Sequence, residues 1–179
     1  MKYTIELDHS GEGGSAEFYL IKEDQNLGFK QFRNKKFATR AYEKQKLLSR
    51  YNLAPKIIGS ICKLPIVIDS CPNYKLNTNW GYITERAKIL DENIMARRLE
   101  DIQKLVENIE RKTKLKFWDC HYYNIGYIKR KNKSKLVCID TGNESFSPLS
   151  NAWGLSSPGP KCEYCNKYHC DCSDGFWSE

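Results

Sequence analysis

The chain has 179 residues, of which 40% are hydrophobic and 28% are charged. This length and composition predict one domain or a small two-lobed unit, and they exclude an intrinsically disordered chain. The net charge of +7 favours an anionic partner, such as a nucleotide, a nucleic acid or an acidic protein.

The first part of the chain predicts three strands followed by a helix. The three strand-like segments are YTIEL (3–7), EFYLI (17–21) and LGFKQF (27–32). SGEGG (10–14) is a glycine-rich turn, so its glycines are predicted at the tip of a hairpin. Residues 36–51 have helical periodicity. The predicted buried stripe of this helix is Phe37, Ala41, Gln45 and Leu48.

The middle of the chain predicts further strands and a second, longer helix. The strand-like segments here are KIIGSI (56–61), LPIVI (64–68) and WGYITERA (80–87). Asp91 is a predicted N-cap for a helix that runs to about Lys114. The predicted buried stripe of this second helix is Met95, Leu99, Ile102, Val106 and Ile109.

The last part of the chain predicts a polar loop, a hairpin and an irregular segment. WDCHYYN (118–124) is the loop, and the hairpin strands IGYIK (125–129) and LVCID (136–140) flank the charged turn RKNKSK. Residues 145–160 have the composition of a linker. The order of elements predicts an α+β fold, with an antiparallel sheet first and a helix-supported loop later.

The glycine-rich hairpin and the lysine after it each have two interpretations. Backbone N–H groups of GEGGSA (11–16) can approach a phosphate closely, but an ordinary flexible hairpin has the same composition. Lys30 either faces solvent or reaches phosphates below the hairpin tip, and for the second role Glu43 is the candidate acidic partner. Helical geometry points Glu43 away from the apolar stripe, so either this helix is buried on two faces or the partner is another residue.

Asp119, Asn124 and Asp140 form a pattern suited to phosphoryl transfer. Asp119 and Asn124 lie five residues apart on one loop, and Asp140 ends a strand sixteen residues later. One carboxylate can orient the proton of a nucleophile, while an amide oxygen and a second carboxylate hold Mg²⁺ against the phosphates. A turn aspartate without function explains any one of these residues but not the whole set in this order.

At these motifs the chain resembles the protein kinase-like fold. GEGGSAEFYLIK (11–22) looks like its glycine-rich loop, and FKQF (29–32) looks like its lysine strand. GYITERA (81–87) looks like the strand that leads into the hinge. DCHYYN and CIDTG resemble the catalytic loop and the metal-binding motif. His121 makes the loop similar to the D-x-H-x-x-N of the aminoglycoside and choline kinase branch, and the likeness covers residues 3–145.

This resemblance implies a minimal bilobal kinase-like fold. Residues 1–87 would form a nucleotide-binding small lobe, residues 88–146 a reduced large lobe, and residues 147–179 a linker with a Cys-rich tail. The implied cofactors are ATP and Mg²⁺. The implied roles are catalytic base for Asp119, Mg²⁺ ligands for Asn124 and Asp140, and binding of the α- and β-phosphates for Lys30, paired with Glu43. The other implied nucleotide contacts are Gly11, Gly13 and Gly14 over the phosphates, and Thr84 (the gatekeeper), Glu85 and Ala87 around adenine.

Several positions depart from the family pattern. Ala16 replaces the last glycine of the loop, and Thr141 stands where kinases often have phenylalanine. Phe117 and Trp118 precede the catalytic aspartate in place of His-Arg or His-Gly. The 39 residues of 141–179 are too few for the usual substrate-binding helices, so that platform is expected to be absent or small. The identity of the phosphate acceptor therefore stays open.

The C-terminal segment CEYCNKYHCDC (162–172) predicts a zinc site. The sequence has no apolar run of membrane-spanning length and no signal-peptide block, so we expect a cytoplasmic, reducing environment without a membrane partner. In that environment zinc is the favoured interpretation of clustered cysteines, with reduced or redox-active thiols as the alternative. The predicted ligands are Cys162, Cys165, Cys170 and Cys172, with His169 as an alternative.

Three functions compete. The favoured one is a Mg²⁺-dependent transferase that moves the γ-phosphate of ATP to an unidentified hydroxyl. The second is a pseudokinase, a nucleotide-binding module that acts through a protein partner. The third is a zinc-bearing binder of nucleic acid, which rests on the tail and on the basic turn 129–135. This turn is most simply a solvated hairpin tip, because no aromatic residues interleave its charges.

Overall fold

The structure is a computed structural model that describes residues 3–12, 16–67, 76–130, 133–142 and 144–148. The predicted site residues that lie outside these ranges are Gly13, Gly14, Cys162, Cys165, His169, Cys170 and Cys172. The zinc site and the tip of the glycine-rich hairpin therefore stay predictions. Within the described residues, no helix is long and apolar enough to cross a membrane.

A seven-stranded sheet forms the first part of the fold. Its strands are β1 (Ile5–Glu12), β2 (Ala16–Ile21), β3 (Asp24–Phe32), β4 (Ile57–Cys62), β5 (Pro65–Val67), β6 (Leu76–Asn77) and β7 (Gly81–Glu85). Their order in the sheet is β4-β7-β3-β2-β1-β5-β6, and all neighbours are antiparallel except the parallel pair β1 and β5. The three predicted N-terminal strands are confirmed as the consecutive hairpins of β1, β2 and β3.

One helix, α1 (Lys35–Arg50), follows β3. Asn34 begins it as the N-cap, because its side chain accepts a hydrogen bond from the backbone N–H of Phe37. The buried residues of α1 are Ala38, Ala41, Gln45 and Leu48, so three of the four predicted stripe residues are confirmed. Asn52, with a φ of 57°, turns the chain back after the helix.

The second predicted helix is broken in two. Asp91 caps α2 (Glu92–Ala96) as predicted, but the chain leaves the helical path and starts again as α3 (Leu99–Thr113). Next to the break Leu99 is 61% exposed, whereas Ile102 and Ile109 of the predicted stripe are buried, together with Leu105. The predicted stripe is therefore confirmed at Ile102 and Ile109, with Met95 and Val106 packed against the same core, and it is wrong at Leu99, the first residue after the break.

Short strands complete the second part of the fold. They are β8 (Lys88–Ile89), β9 (Leu115–Phe117), β10 (Ile125–Arg130), β11 (Lys133–Cys138) and β12 (Phe146–Pro148). The hairpin β10–β11, which was predicted, carries β8 on its other side, and β9 pairs with β12. Strands of two or three residues are too short to show an alternating pattern, so β8, β9 and β12 were not predicted.

The largest core cluster joins the end of α1 to the second part of the fold. Leu48, Leu53 and Ala54 pack in one cluster with Ile109 of α3 and Ile125 of β10. The expected α+β class with antiparallel sheets is confirmed. This shared core fixes the sheet against the loop that precedes β10, and the polar residues predicted for the site lie on that loop and opposite it.

Candidate active site

Lys30 lies between the seven-stranded sheet and the end of the β10–β11 hairpin. In β3 it pairs with Phe18 of β2 and Tyr82 of β7, and it is only 9% exposed. Its ammonium donates to the carbonyl oxygen of Ile139 at 3.1 Å and lies 3.5 Å from Oδ1 of Asp140. The solvent-facing alternative for Lys30 was therefore wrong, because its charge faces a carboxylate and a carbonyl oxygen.

Asp119 and Asn124 meet across a short turn. The chain leaves β9 after Phe117 and passes through a 3₁₀ turn at Tyr122–Asn124. The side-chain amide of Asn124 donates to the carbonyl oxygen of Asp119 at 3.0 Å and to its Oδ2 at 2.8 Å. His121 adds its Nε2 at 3.1 Å from Oδ1 of Asp119. The predicted loop is thus held by its own polar side chains, which leaves Asp119 in a fixed orientation.

The backbone of Asn124 connects this loop to Asp140. Its carbonyl oxygen accepts the N–H of Ile139 at 2.9 Å and lies 3.5 Å from the N–H of Asp140. The loop before β10 and the segment after β11 are neighbours because the hairpin pairs Ile125, at the start of β10, with Cys138, at the end of β11. The predicted convergence of Asn124 and Asp140 therefore occurs, and the hairpin between them produces it.

Ser145 bridges the two carboxylates, and it was not among the predicted site residues. Its hydroxyl donates a short hydrogen bond to Oδ2 of Asp140 and lies 3.2 Å from Oδ2 of Asp119. Ser145 is fully buried. Because a hydroxyl has a single proton, it can donate fully to only one of the two carboxylates at a time. A serine in an irregular segment carries no pattern from which this position could be found.

The Asp140 carboxyl is held in its ionised form. Burial alone would raise its pKa, but the charge of Lys30 and the hydrogen bonds from Ser145, Gly142 and Lys30 outweigh burial, so the pKa lies below its usual value. The backbone N–H of Gly142 donates to Oδ1 of Asp140 at 2.9 Å. A carboxylate that stays charged near neutral pH is suited to hold a cation.

Glu43 is not brought to Lys30. It lies on the exposed face of α1, and within the described residues the ion pair of Lys30 is with Asp140. The helix presents Lys44 to the site instead: its ammonium donates to the carbonyl oxygen of Gly142 at 2.8 Å. The expected pairing of Lys30 with Glu43 is therefore replaced, for the geometric reason that Glu43 faces away from the buried stripe.

Burial lowers the pKa of Lys44 to about 8, even though nearby carboxylates, Glu144 and Asp140 among them, act to raise it. The ammonium also lies 4.9 Å from the ring centroid of Phe146. Lys44 was not among the predicted site residues, although its position next to Glu43 rotates it by one helical step toward the core. That step was the available signal.

A buried polar network runs from α1 to the segment after Asp140. The hydroxyl of Tyr82 donates to Oε1 of Gln45 at 2.9 Å and lies 3.3 Å from the hydroxyl of Thr141. Gln45, Tyr82 and Thr141 are each at most 1% exposed. Thr141, noted above as a departure from the family pattern, therefore makes a polar contact where a phenylalanine would make an apolar one.

Thr84 and Glu85 lie at the end of β7 as predicted. The Thr84 hydroxyl is buried and donates to the carbonyl oxygen of Lys56 at 3.0 Å. The backbone N–H groups of Glu85 and Arg86 are bonded within the protein, to the carbonyl oxygens of Lys56 at 2.9 Å and Asn26 at 2.7 Å. An adenine ring bound at this edge would therefore have to form its hydrogen bonds with other backbone groups, such as those of Ala87.

Gly11 is the penultimate residue of β1, and it pairs with Phe18 of β2. Gly11 and Lys30 therefore lie at the same level on the two strands that flank β2, since Phe18 is also the partner of Lys30 on β3. Gly13 and Gly14 follow in the part of the hairpin outside the described residues. The described part of the hairpin thus places Gly11 level with the predicted phosphate-binding lysine, across β2.

The oxygen atoms of this site are of the kind that can ligate a hard divalent cation. Within the described residues no three His, Cys, Asp or Glu side chains cluster as a ready metal centre. The site offers two carboxylates, Asp119 and Asp140, joined through Ser145, and the amide of Asn124. These all-oxygen donors are the type that Mg²⁺ takes, and Mg²⁺ usually completes its shell with water and substrate phosphates rather than with protein ligands.

No protein-family model matches this sequence, and no curated protein matches it. The side chains around Lys30, Asp119 and Asp140 are therefore the basis for assigning a function.

Proposed function

We propose that this protein is an ATP-dependent phosphotransferase with a minimal kinase-like bilobal fold, and that it transfers the γ-phosphate to a hydroxyl acceptor. The observation that supports the proposal is the convergence of one ammonium group, Lys30, with Asp119, Asn124 and Asp140. These residues come from β3, the loop after β9 and the end of β11, so chance adjacency along the chain does not explain their meeting.

Each residue has a role in this proposal. Lys30 would neutralise charge on the α- and β-phosphates. Its ammonium lies beside Asp140, the proposed Mg²⁺ ligand, so it is next to the place where the phosphates would bind. Asp119 orients and accepts the proton of the acceptor hydroxyl, and its side chain keeps 27% of its exposure for access by that group. Asn124 and Asp140 would hold Mg²⁺, which supplies charge neutralisation on the phosphates when bound.

A second candidate function is a nucleotide-binding module that does not transfer phosphate. The observation that favours it is the position of Glu43, which is exposed on α1 and leaves Lys30 paired with Asp140. In an active kinase the lysine is held by a glutamate of this helix, so the metal-binding aspartate is not its only anchor. Binding is common to both candidates, and phosphate transfer separates them.

Thermal melting with ATP, with and without Mg²⁺, tests the shared binding step. A ligand present at 100 times its Kd stabilises the folded state by about 2.7 kcal/mol. We expect a Mg²⁺-dependent gain that Asp140→Ala removes and that Glu43→Gln, a change on the exposed face of α1, retains. Absence of any shift at millimolar nucleotide would rule out both candidates. Transfer of ³²P from γ-labelled ATP, to water or to the chain itself, then distinguishes the transferase from the binding module.

A further inference from the structure

A groove that includes none of the proposed catalytic residues lies between α3 and the β10–β11 hairpin. Its cavity volume is about 600 Å³, within the range of ligand-binding pockets. The residues used below are its four basic side chains and two aromatic rings: Arg98, Lys104, Lys112, Lys135, Tyr51 and Tyr127. We call this the basic groove.

The basic groove is positively charged. Its four cations face a single lining acid, Asp101, which is hydrogen-bonded to Arg98 at 2.8 Å. Lys104 lies 4.0 Å from Glu100 in an exposed pair that is weak in water. Lys112 and Lys135 form no ion pair within the described part of the chain. The groove therefore attracts anions. Two of its cations can bind an anion without first breaking an ion pair within the described part of the chain.

Aromatic and apolar groups accompany this charge. Tyr51, the residue that ends α1, is 43% exposed, and Tyr127 on β10 is half-buried. Leucine side chains complete the lining. An inorganic anion would make no use of these rings, whereas a nucleic acid base stacks on an aromatic face without a strict sequence requirement.

The register of the hairpin extends the positive charge beyond the groove. Lys129 lies two residues after Tyr127 on β10, so both side chains belong to the same face. It is exposed and pairs with Ser134, which lines the groove. Cations therefore continue along the face that carries Tyr127, as a linear polyanion requires.

We propose that the basic groove binds single-stranded nucleic acid, with phosphates on Lys104, Lys112 and Lys129 and a base stacked on Tyr51. Acidic peptides share the charge but not the regular alternation of phosphates with planar bases. From the sequence, residues 129–135 were interpreted as a solvated hairpin tip because no aromatic residues interleave their charges. Tyr51 and Tyr127, which lie outside that segment, line the same groove as Ser134 and Lys135.

Fluorescence anisotropy of a fluorescein-labelled dT12 or U12 with the full chain tests this proposal. We expect saturable binding whose affinity falls with salt. The double variant Lys104→Ala, Lys112→Ala removes two phosphate contacts, so the slope of log K against log salt should fall in magnitude by about 1.4, at roughly 0.7 per contact. Its control is Lys36→Ala with Lys63→Ala, which removes the same charge outside the groove and should retain the parent slope.

The base contact has its own pair of variants. Tyr51→Ala should weaken binding by about tenfold, while Tyr51→Phe, which keeps the ring, should bind as the parent does. Melting curves in the absence of oligonucleotide confirm that each variant is folded. Equal slopes for both double variants would overturn the proposal, since binding would then follow only net charge. It is equally overturned if a glutamate-rich peptide of the same charge binds as tightly and with the same dependence on Tyr51.

Discussion

The ammonium of Lys30 lies 3.5 Å from Oδ1 of Asp140, although 110 positions of the chain separate the two residues. Their side chains are only 11% and 18% exposed, so the pair is poorly hydrated. It links the middle of the seven-stranded sheet to the end of the β10–β11 hairpin. Because loss of one partner leaves the other charge with little solvent, this contact is sensitive to substitution on either side.

Lys30→Met should destabilise the protein in a pH-dependent way. Asp140 has a pKa below its ordinary value of 3.8, so its contribution to stability is present above pH 3.8 and is lost as the pH falls through the folded pKa. We expect a loss of about 2 kcal/mol near pH 7, below the range for fully buried pairs because some solvent remains. Urea unfolding from pH 2.5 to 7 measures it. The difference from the parent should shrink in acid, and Lys36→Met should show no such trend.

Lys44→Met should remove a rise in stability at alkaline pH. The folded pKa of Lys44 is about 8 and the ordinary value is 10.5, so between these values the unfolded chain binds a proton that the folded chain does not. The parent should therefore gain stability relative to Lys44→Met from pH 8 to 10.5, by about 1–2 kcal/mol after allowance for partial hydration. Urea unfolding across this window measures the gain. A constant difference would contradict the assigned burial of the ammonium.

Ser145→Ala should destabilise the folded state by about 1–3 kcal/mol, because a buried hydrogen bond to a carboxylate is lost. Ser147→Ala is the matched control: Ser147 is a half-buried serine on β12, two residues away. We expect the control to change the free energy of unfolding by less than about 0.5 kcal/mol. Chemical denaturation of the two variants at neutral pH makes the comparison. Equal effects would show that the Ser145 hydroxyl does not hold the two carboxylates.

Asp119→Asn tests the proposed catalytic base while keeping the shape of the side chain. We expect phosphate transfer to fall by about 10²–10⁴-fold, because an amide cannot accept the proton of the acceptor. Nucleotide-dependent stabilisation in the melting assay should stay close to that of the parent. If the variant transfers phosphate at the parent rate, Asp119 is not the base.

The sequence predicted the elements that depend on neighbouring residues. The first three strands, α1, the β10–β11 hairpin and the Asp91 cap follow from alternation, helical spacing and capping chemistry, which act over a few residues. The prediction failed at Leu99, the first residue of α3, because the chain leaves the helical path at Arg97 and Arg98 without a Pro or Gly to signal the break. Whether a residue beside such a break is buried depends on how the two helices pack against the core and not on the helical period alone.

The same division applies to the site. The spacing of Asp119, Asn124 and Asp140, with a hairpin after Asn124, was enough for the sequence to predict that the two metal-ligand candidates meet. The tertiary structure alone decided that Lys30 pairs with Asp140, that Lys44 rather than Glu43 faces the site, and that Ser145 bridges the carboxylates. The physical reason is that local patterns fix the direction of a side chain within its own element. Which charges become neighbours depends on how separate elements pack, and that is determined by the buried surface of the whole fold.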